Sequence, residues 1–326
     1  MTTCLRLRWA FAVAFLALTL GACSDAPPKD GSPAIIALLR AVAGTPSTEP
    51  AFIAELAAAG YLKGENLTIL APDAAEAYPD PDAARAAIRR WIDQGVDIIV
   101  ALSSAGAMVA RDAAPGVGVL FLSNDPVATG LLKNEMAPEG RLTGATFRVP
   151  ADRMLSLAQR TLGVDRFGLV YPAGDPAALA NRDALNAGAT RLGLQLLTAE
   201  FSTKEDIPGA VARLASGGAE ALVISTSPIA TRALTETASA AAVHRLPIVA
   251  NTSLVASAAL ALFPDNEELG RQLARQAIRL LSGTAPRSVP VEDPRRFIVT
   301  MNQRAATELG IVIPEAVLRE ANNVTR

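Results

Sequence analysis

Cysteine is almost missing from this 326-residue chain: there are two, Cys4 and Cys23, both close to the N-terminus. A disulfide framework and a thiolate metal site are thereby excluded from the body of the protein. Histidine is scarcer still. His244 stands alone, beside Arg245 near the end of an expected helix, where an imidazole is solvated and suits the local dipole. Charge of one sign is lacking too: 30 basic residues face 32 acidic ones, for a net charge of −2. That balance leaves no electrostatic footprint for nucleic acid, so no nucleic-acid partner is expected. After Cys23 no apolar run is long enough to span a bilayer. The chain also has no Gly-x-Ser-x-Gly elbow, no Gly-x-x-x-x-Gly-Lys-Ser/Thr loop and no Gly-x-Gly-x-x-Gly fingerprint. Acidic groups at Asp80/Asp82 and Asp265/Glu267/Glu268 fall at turns or helix starts, where carboxylates are ordinary. Neither an enzyme, a cofactor nor a metal centre is expected.

What is present begins at the N-terminus. Arg6 and Arg8 precede an uncharged apolar run, Trp9 to Leu20, and Leu20-Gly21-Ala22-Cys23 closes the segment. This is the layout of a bacterial lipoprotein signal, with small residues before a cysteine whose thiol is acylated. A simple cleaved signal with an incidental Cys23 is the alternative. Lipidation accounts for a thiol with no partner, and each buried methylene of an acyl chain contributes about 0.8 kcal/mol of membrane affinity. Residues 1–22 are read as the signal and 23–33 as a lipidated, Pro- and Gly-containing linker. The rest is long enough for two domains of about 150 residues each, tethered outside the cytoplasm on the periplasmic face or at the cell surface.

From residue 34 onward the pattern alternates between short apolar runs and Ala-rich amphipathic segments, the signature of α/β units around parallel sheets. Strands are expected at 35–39, 67–71, 97–102, 117–122, 167–171, 194–199, 221–225, 247–250 and 296–300. In the helical stretch Ala83 to Gln94, residues Ile88, Trp91 and Ile92 fall on one face. Gly95 stops that helix. Four units precede residue 125 and four follow residue 165, with a strand-poor region from Lys133 to Pro150. A long helix from about Glu267 to Leu281 then suggests that the chain returns to the first unit. The expected architecture is two Rossmann-like lobes joined by a multi-strand hinge: residues 34–146 plus about 259–285, and 147–258 plus about 286–326.

Ligands in open α/β sheets bind beyond the carboxyl ends of the strands. The loops expected there carry Thr45 and Ser47, Ser103-Ser104, Ser123-Asn124-Asp125-Pro126, Tyr171 to Asp175, Ser225-Thr226-Ser227 and Asn251-Thr252-Ser253. Such residues offer hydroxyl, amide and backbone N–H groups to a small anionic group such as a carboxylate. They are equally the preferred helix caps. Asp125 and Asp175 are the carboxylates available to an ammonium group, although Asp125 before Pro126 also suits a turn.

The stretches AELAAAGYLKGENLTI (54–69), VDIIVALSSAGAMVARDA (96–113), FLSNDPVATGLL (121–132), GRLTGATF (140–147), LGRQLARQAIRLLSG (269–283) and ELGIVIPEAVL (308–318) together carry a resemblance. In their order and spacing the chain resembles the ABC-transporter substrate-binding lipoproteins related to tryptophan- and phenylalanine-binding proteins. The resemblance implies a type I periplasmic-binding-protein fold and a monomer that captures a small polar solute, an amino acid or similar carboxylate, by hinge closure. It implies delivery to a membrane permease and its ATPase. It further implies ligand contacts at Ser103, Ser104 and Ala105, at Ser123, Asn124 and Asp125, at Tyr171, at Ser225, Thr226 and Ser227, and at Asn251, Thr252 and Ser253. A sensory lipoprotein that docks on a signalling partner is the alternative. Aromatic residues make up 4% of the chain, and Tyr171 is the one aromatic among these loops.

Overall fold

The computed structural model describes residues 33–40, 48–71, 80–225 and 227–326. The signal, Cys23, Thr45, Ser47 and Thr226 lie outside the described residues. In chain order the first part contains β1 (Ala34–Leu39), α1 (Thr48–Ala58), β2 (Leu67–Leu70), α2 (Pro81–Asp93), β3 (Ile98–Ala101), α3 (Ser104–Ala113), β4 (Gly118–Ser123) and β5 (Leu142–Thr146). The five strands form a parallel sheet in the order β2-β1-β3-β4-β5.

Strand alternation decides which helices cover which face. Ile36, Leu38, Val100, Leu120 and Leu122 point to one side, against Phe52 and Leu56 of α1. Leu39, Ile99, Ala101 and Phe121 point to the other, against Ile88, Trp91 and Ala107 of α2 and α3. The start of α2 is fixed by Asp80, whose carboxylate accepts the N–H groups of Asp82 and Ala83, and by Pro81 in the first turn. Gly95 follows its end at φ 79°. Ile88 and Trp91 are buried as expected, but Ile92 is 39% exposed, because the buried stripe runs through Ala84, Ala87, Ile88 and Trp91.

The second part contains α4 (Ala151–Leu162), β6 (Arg166–Pro172), α5 (Pro176–Leu192), β7 (Gln195–Phe201), α6 (Ile207–Ser216), β8 (Ala221–Ile224), α7 (Pro228–Arg232), α8 (Leu234–Val243), β9 (Ile248–Ala250) and β10 (Leu260–Pro264). Then follow α9 (Asn266–Leu281), β11 (Phe297–Asn302), α10 (Gln303–Glu308), α11 (Glu315–Leu318) and β12 (Asn323–Thr325). The second sheet runs β12-β11-β10-β9-β8-β6-β7. It is parallel except that β11 lies antiparallel to β10, with β12 parallel to β11. Helices α4 and α5 cover one face through Leu155, Leu157 and Leu185, and α6 and α8 cover the other through Val211, Leu214 and Ala241.

The structure differs from the expected division in three places. The region Lys133 to Pro150 contains β5, whose LTGAT sequence has too little apolar character to stand out. The segment 259–285 is divided, since β10 belongs to the second sheet while α9 packs with Phe52 and Leu56 of α1 through Leu269 and Leu273. The tail divides as well. Glu292 donates its N–H to Gly144 and accepts that of Thr146, so 289–293 lies along β5, whereas β11 and β12 complete the second sheet. The chain therefore passes between the sheets three times, at 147–150, at Asp265 and at 293–296.

Candidate functional site

Parallel strands present their carboxyl ends on one side of each sheet, and the loops expected to bind ligand extend from those ends. In the first lobe Ser103 caps α3 by accepting the Gly106 N–H at 3.0 Å. The Ser104 and Ser123 hydroxyls lie 2.7 Å apart, tying the loop after β3 to the end of β4. Ser123 is fully buried, while Ala105 is exposed on the first turn of α3. Asp125 uses Oδ1 to accept the N–H groups of Val127 at 3.2 Å and Ala128 at 2.8 Å. The turn role of this aspartate is real, and Oδ2 stays out of it.

In the second lobe Tyr171 turns inward. It is 3% exposed, its hydroxyl donates to Glu200 at 2.6 Å, and the Arg182 guanidinium sits 5.5 Å from its ring centroid. Burial, with the Glu200 carboxylate beside it, pushes the phenol above its ordinary range. Ser227 caps α7 through the Ala230 N–H at 3.0 Å. Ser225 is 2% exposed, and its hydroxyl has no hydrogen-bond partner among the described residues. Thr252 accepts the Leu254 N–H at 3.2 Å, and Ser253 is exposed.

A cavity of about 90 Å³ lies between the lobes beside the first crossover. Asn124, Asp125 and Asn251, from the loops after β4 and β9, border it. Two residues not expected from the sequence complete its polar lining, Arg148 on the crossover and Asn181 on α5. Its apolar wall includes Met154 and Ala184. Ser103, Ser104, Ala105, Ser123, Tyr171, Ser225, Ser227, Thr252 and Ser253 do not border this cavity, although they lie in or beside the loops at the same strand ends. Asn181 carried a signal of its own, a poor helix former inside an Ala-rich helix. Arg148 could be read as the single charge in FRVP, between a strand and a Pro-initiated helix.

Arg148 organises the cavity wall. Nη2 donates to Glu135 at 2.5 Å and Nε to the Asn124 carbonyl at 3.4 Å, with Asp293 at 3.8 Å from Nη1. Although burial opposes the charge, Glu135, Asp293 and Asp125 together hold the guanidinium above its ordinary value. Among the cavity's lining residues Asp125 is the one carboxylate and Arg148 the one cation. Among the described residues no group of His, Cys, Asp and Glu is placed to hold a metal ion. Nor is any helix among them long and apolar enough to cross a membrane.

Comparison with known proteins agrees with this architecture. A tyrosine-binding protein of Clostridioides difficile is 26% identical over 244 residues, covering 74% of this chain and 70% of the relative. An ABC domain from Streptococcus pneumonia solved in complex with L-Trp superposes with a TM-score of 0.76 at 22% identity, over 90% of this chain and all of that one. A conserved domain protein from Vibrio cholerae gives a TM-score of 0.75 at 23% identity, again over 90% of this chain and all of that one. These structural likenesses establish the two-lobed, type I periplasmic-binding-protein fold. Residues 44–325 match the family model described as ABC transporter substrate binding protein. With most of its length matched, the chain belongs to the ABC transporter substrate binding protein family.

Proposed function

We propose that this protein is an extracytoplasmic solute receptor, held at a membrane by lipid on Cys23, that captures an amino acid or similar carboxylate and delivers it to a permease and its ATPase. The observation that carries this reading is the pairing of Asn124 and Asp125 from one lobe with Asn181 and Asn251 from the other around one cavity next to the crossovers. A solute held from both sides favours the closed arrangement over the open one, because contacts on either lobe alone do not depend on the hinge angle. The side-chain amides of Asn124, Asn181 and Asn251 on the cavity wall suit a carboxylate as N–H donors. The Asp125 carboxylate, which closes its turn through Oδ1 alone and borders the cavity, suits an ammonium group. Amino-acid binding by relatives, tyrosine in one and L-Trp in another, supports the same class of solute.

Ligand stripping tests the proposal. Protein covering residues 24–326 is unfolded, refolded, and its melting temperature measured against the common amino acids and small carboxylates. A ligand present at 100 times its Kd stabilises the native state by about 2.7 kcal/mol, a shift well within detection. A selective, concentration-dependent rise is expected with one amino acid or a small related set. No rise with any amino acid, from protein that has demonstrably refolded, removes the amino-acid assignment.

A further inference from the structure

A second cavity, of about 390 Å³, opens in the first lobe between the end of α3 and the excursion 130–142. It shares no lining residue with the interlobe cavity. Its walls include Ala114 and Val117, which lead into β4, and Leu142, which begins β5. It therefore lies at the amino ends of these strands, opposite the ligand loops. Its size falls within the range of about 300–1,000 Å³ typical of small-molecule sites.

The floor and the rim differ in chemistry. Val119, Leu131, Leu132 and Leu142 form the floor, none more than 5% exposed. Around the rim stand Arg111, Lys133, Glu139 and Arg141. Two of these four are already committed. Arg111 donates to Asp112 at 2.8 Å and to the Gly130 carbonyl at 3.2 Å. Glu139 accepts the Lys133 backbone N–H at 3.0 Å. The Lys133 ammonium and the Arg141 guanidinium have no hydrogen-bond or ion-pair partner among the described residues.

We propose that this cavity is a second ligand site, independent of the interlobe cleft, for an aliphatic monocarboxylate. Two uncommitted cations above a buried aliphatic floor complement a molecule with one anionic end and a short hydrocarbon body. A small inorganic anion satisfies the cations and leaves the floor wet. An alkylamine of the same length meets like charge at the rim. The hydrocarbon body gains with each methylene it buries on the floor.

The test is calorimetric titration of the protein with butanoate, hexanoate and octanoate, using hexylamine and hexanol as length-matched controls. One molecule binds per chain, with affinity rising about fourfold per added methylene, the factor that 0.8 kcal/mol represents. Hexylamine and hexanol bind at least tenfold more weakly than hexanoate. Combined Lys133→Gln and Arg141→Gln substitutions, both at exposed positions, weaken hexanoate tenfold or more with an unchanged melting temperature. Asn251→Ala, in the cleft, leaves hexanoate affinity as it was. The proposal is overturned by absence of saturable binding, by affinity independent of chain length, by an unaltered double variant, or by loss of hexanoate in Asn251→Ala.

Discussion

The guanidinium of Arg148 lies 3.8 Å from the carboxylate of Asp293, so the first crossover between the lobes is linked to the third. Thr146 adds a 2.6 Å hydrogen bond to the same carboxylate, and Arg148 also holds Glu135. Both acids and the arginine border solvent, so the ion pairs are screened and together stabilise by about 1 kcal/mol. Arg148→Ala is expected to lower the melting temperature by about 2–4 °C, given the size of each lobe. Arg148→Lys should recover less than half of that loss, because one ammonium cannot reproduce a planar fork reaching three acceptors. Thermal melts of the three proteins decide the matter; equal melting temperatures for all three would show that Arg148 does not brace the hinge.

A close helix crossing yields a sharper stability prediction. A Cβ on Gly270 of α9 would stand 2.2 Å from the Thr48 carbonyl oxygen and 2.9 Å from the Phe52 nitrogen of α1. Backbone cannot yield as a flexible side chain can, so α1 and α9 must separate, with overpacking of this kind costing about 1–3 kcal/mol. Arg275 spans the same helix pair, from Glu268 to Glu55. In urea denaturation Gly270→Ala should lower the midpoint substantially, while Arg275→Ala, at a surface ion pair, should lower it by less than about 1 kcal/mol equivalent. The reverse ranking would mean that charge rather than close approach joins these helices.

Much of the fold was legible because buried strands in parallel sheets are continuous apolar runs, as in Ile98-Ile99-Val100-Ala101 and Ala221-Leu222-Val223-Ile224. β5 escaped because Thr143, Gly144 and Thr146 interrupt its pattern; its burial depends on the crossover 289–293 alongside it, a relationship remote in sequence. β10 escaped because its short Leu-Ala-Leu-Phe-Pro run merges with the Ala-rich stretch 255–259 before it, while its place in the sheet is set by pairing with β9 and β11. Of the candidate site, Asn124, Asp125 and Asn251 were legible as polar residues just past buried strands. Arg148 and Asn181 left only local signals of their own, since a crossover and a helix interior are not where strand-end reasoning looks. Tyr171 stands near the end of β6, directly opposite Glu200 in the sheet register, and its hydroxyl donates to that carboxylate, a pairing that strand-end reasoning does not show.

Acid should weaken the second lobe. Backbone N–H groups of Thr203 and Ser202 hold the Asp206 carboxyl below its ordinary value, and those of Asp165 and Arg166 do the same for Glu220. Hydrogen bonds from Arg191 and Arg160 lower Asp152 and Glu320. A carboxyl whose folded pKa is depressed contributes stability that is fully present above its unfolded value, near 4, and is lost as pH falls through the lowered folded value. The melting temperature is therefore expected to be level through neutral pH and to fall below about pH 4.5. Glu220→Gln should flatten that fall measurably. An acid limb identical to that of the unsubstituted protein would remove Glu220 from this account.

Charge and capping can be separated at Asp125. Its Oδ1 closes a turn onto Val127 and Ala128, while the side chain also borders the interlobe cavity. Replacement by Ala removes both functions at once, and a weakened ligand would then be ambiguous. Asp125→Asn keeps an acceptor oxygen for the two N–H groups and removes the charge. If the carboxylate meets the ammonium of an amino acid, loss of a charge-assisted hydrogen bond in a partly dry cleft is worth about 1.5–3 kcal/mol, a weakening of more than tenfold. The melting temperature without ligand should stay within about 2 °C, because the turn is intact. Calorimetry on the amino acid identified by thermal shift supplies the affinity. Unchanged affinity together with an unchanged melting temperature would make Asp125 a turn former alone and move the ammonium contact to the amides of Asn124, Asn181 and Asn251.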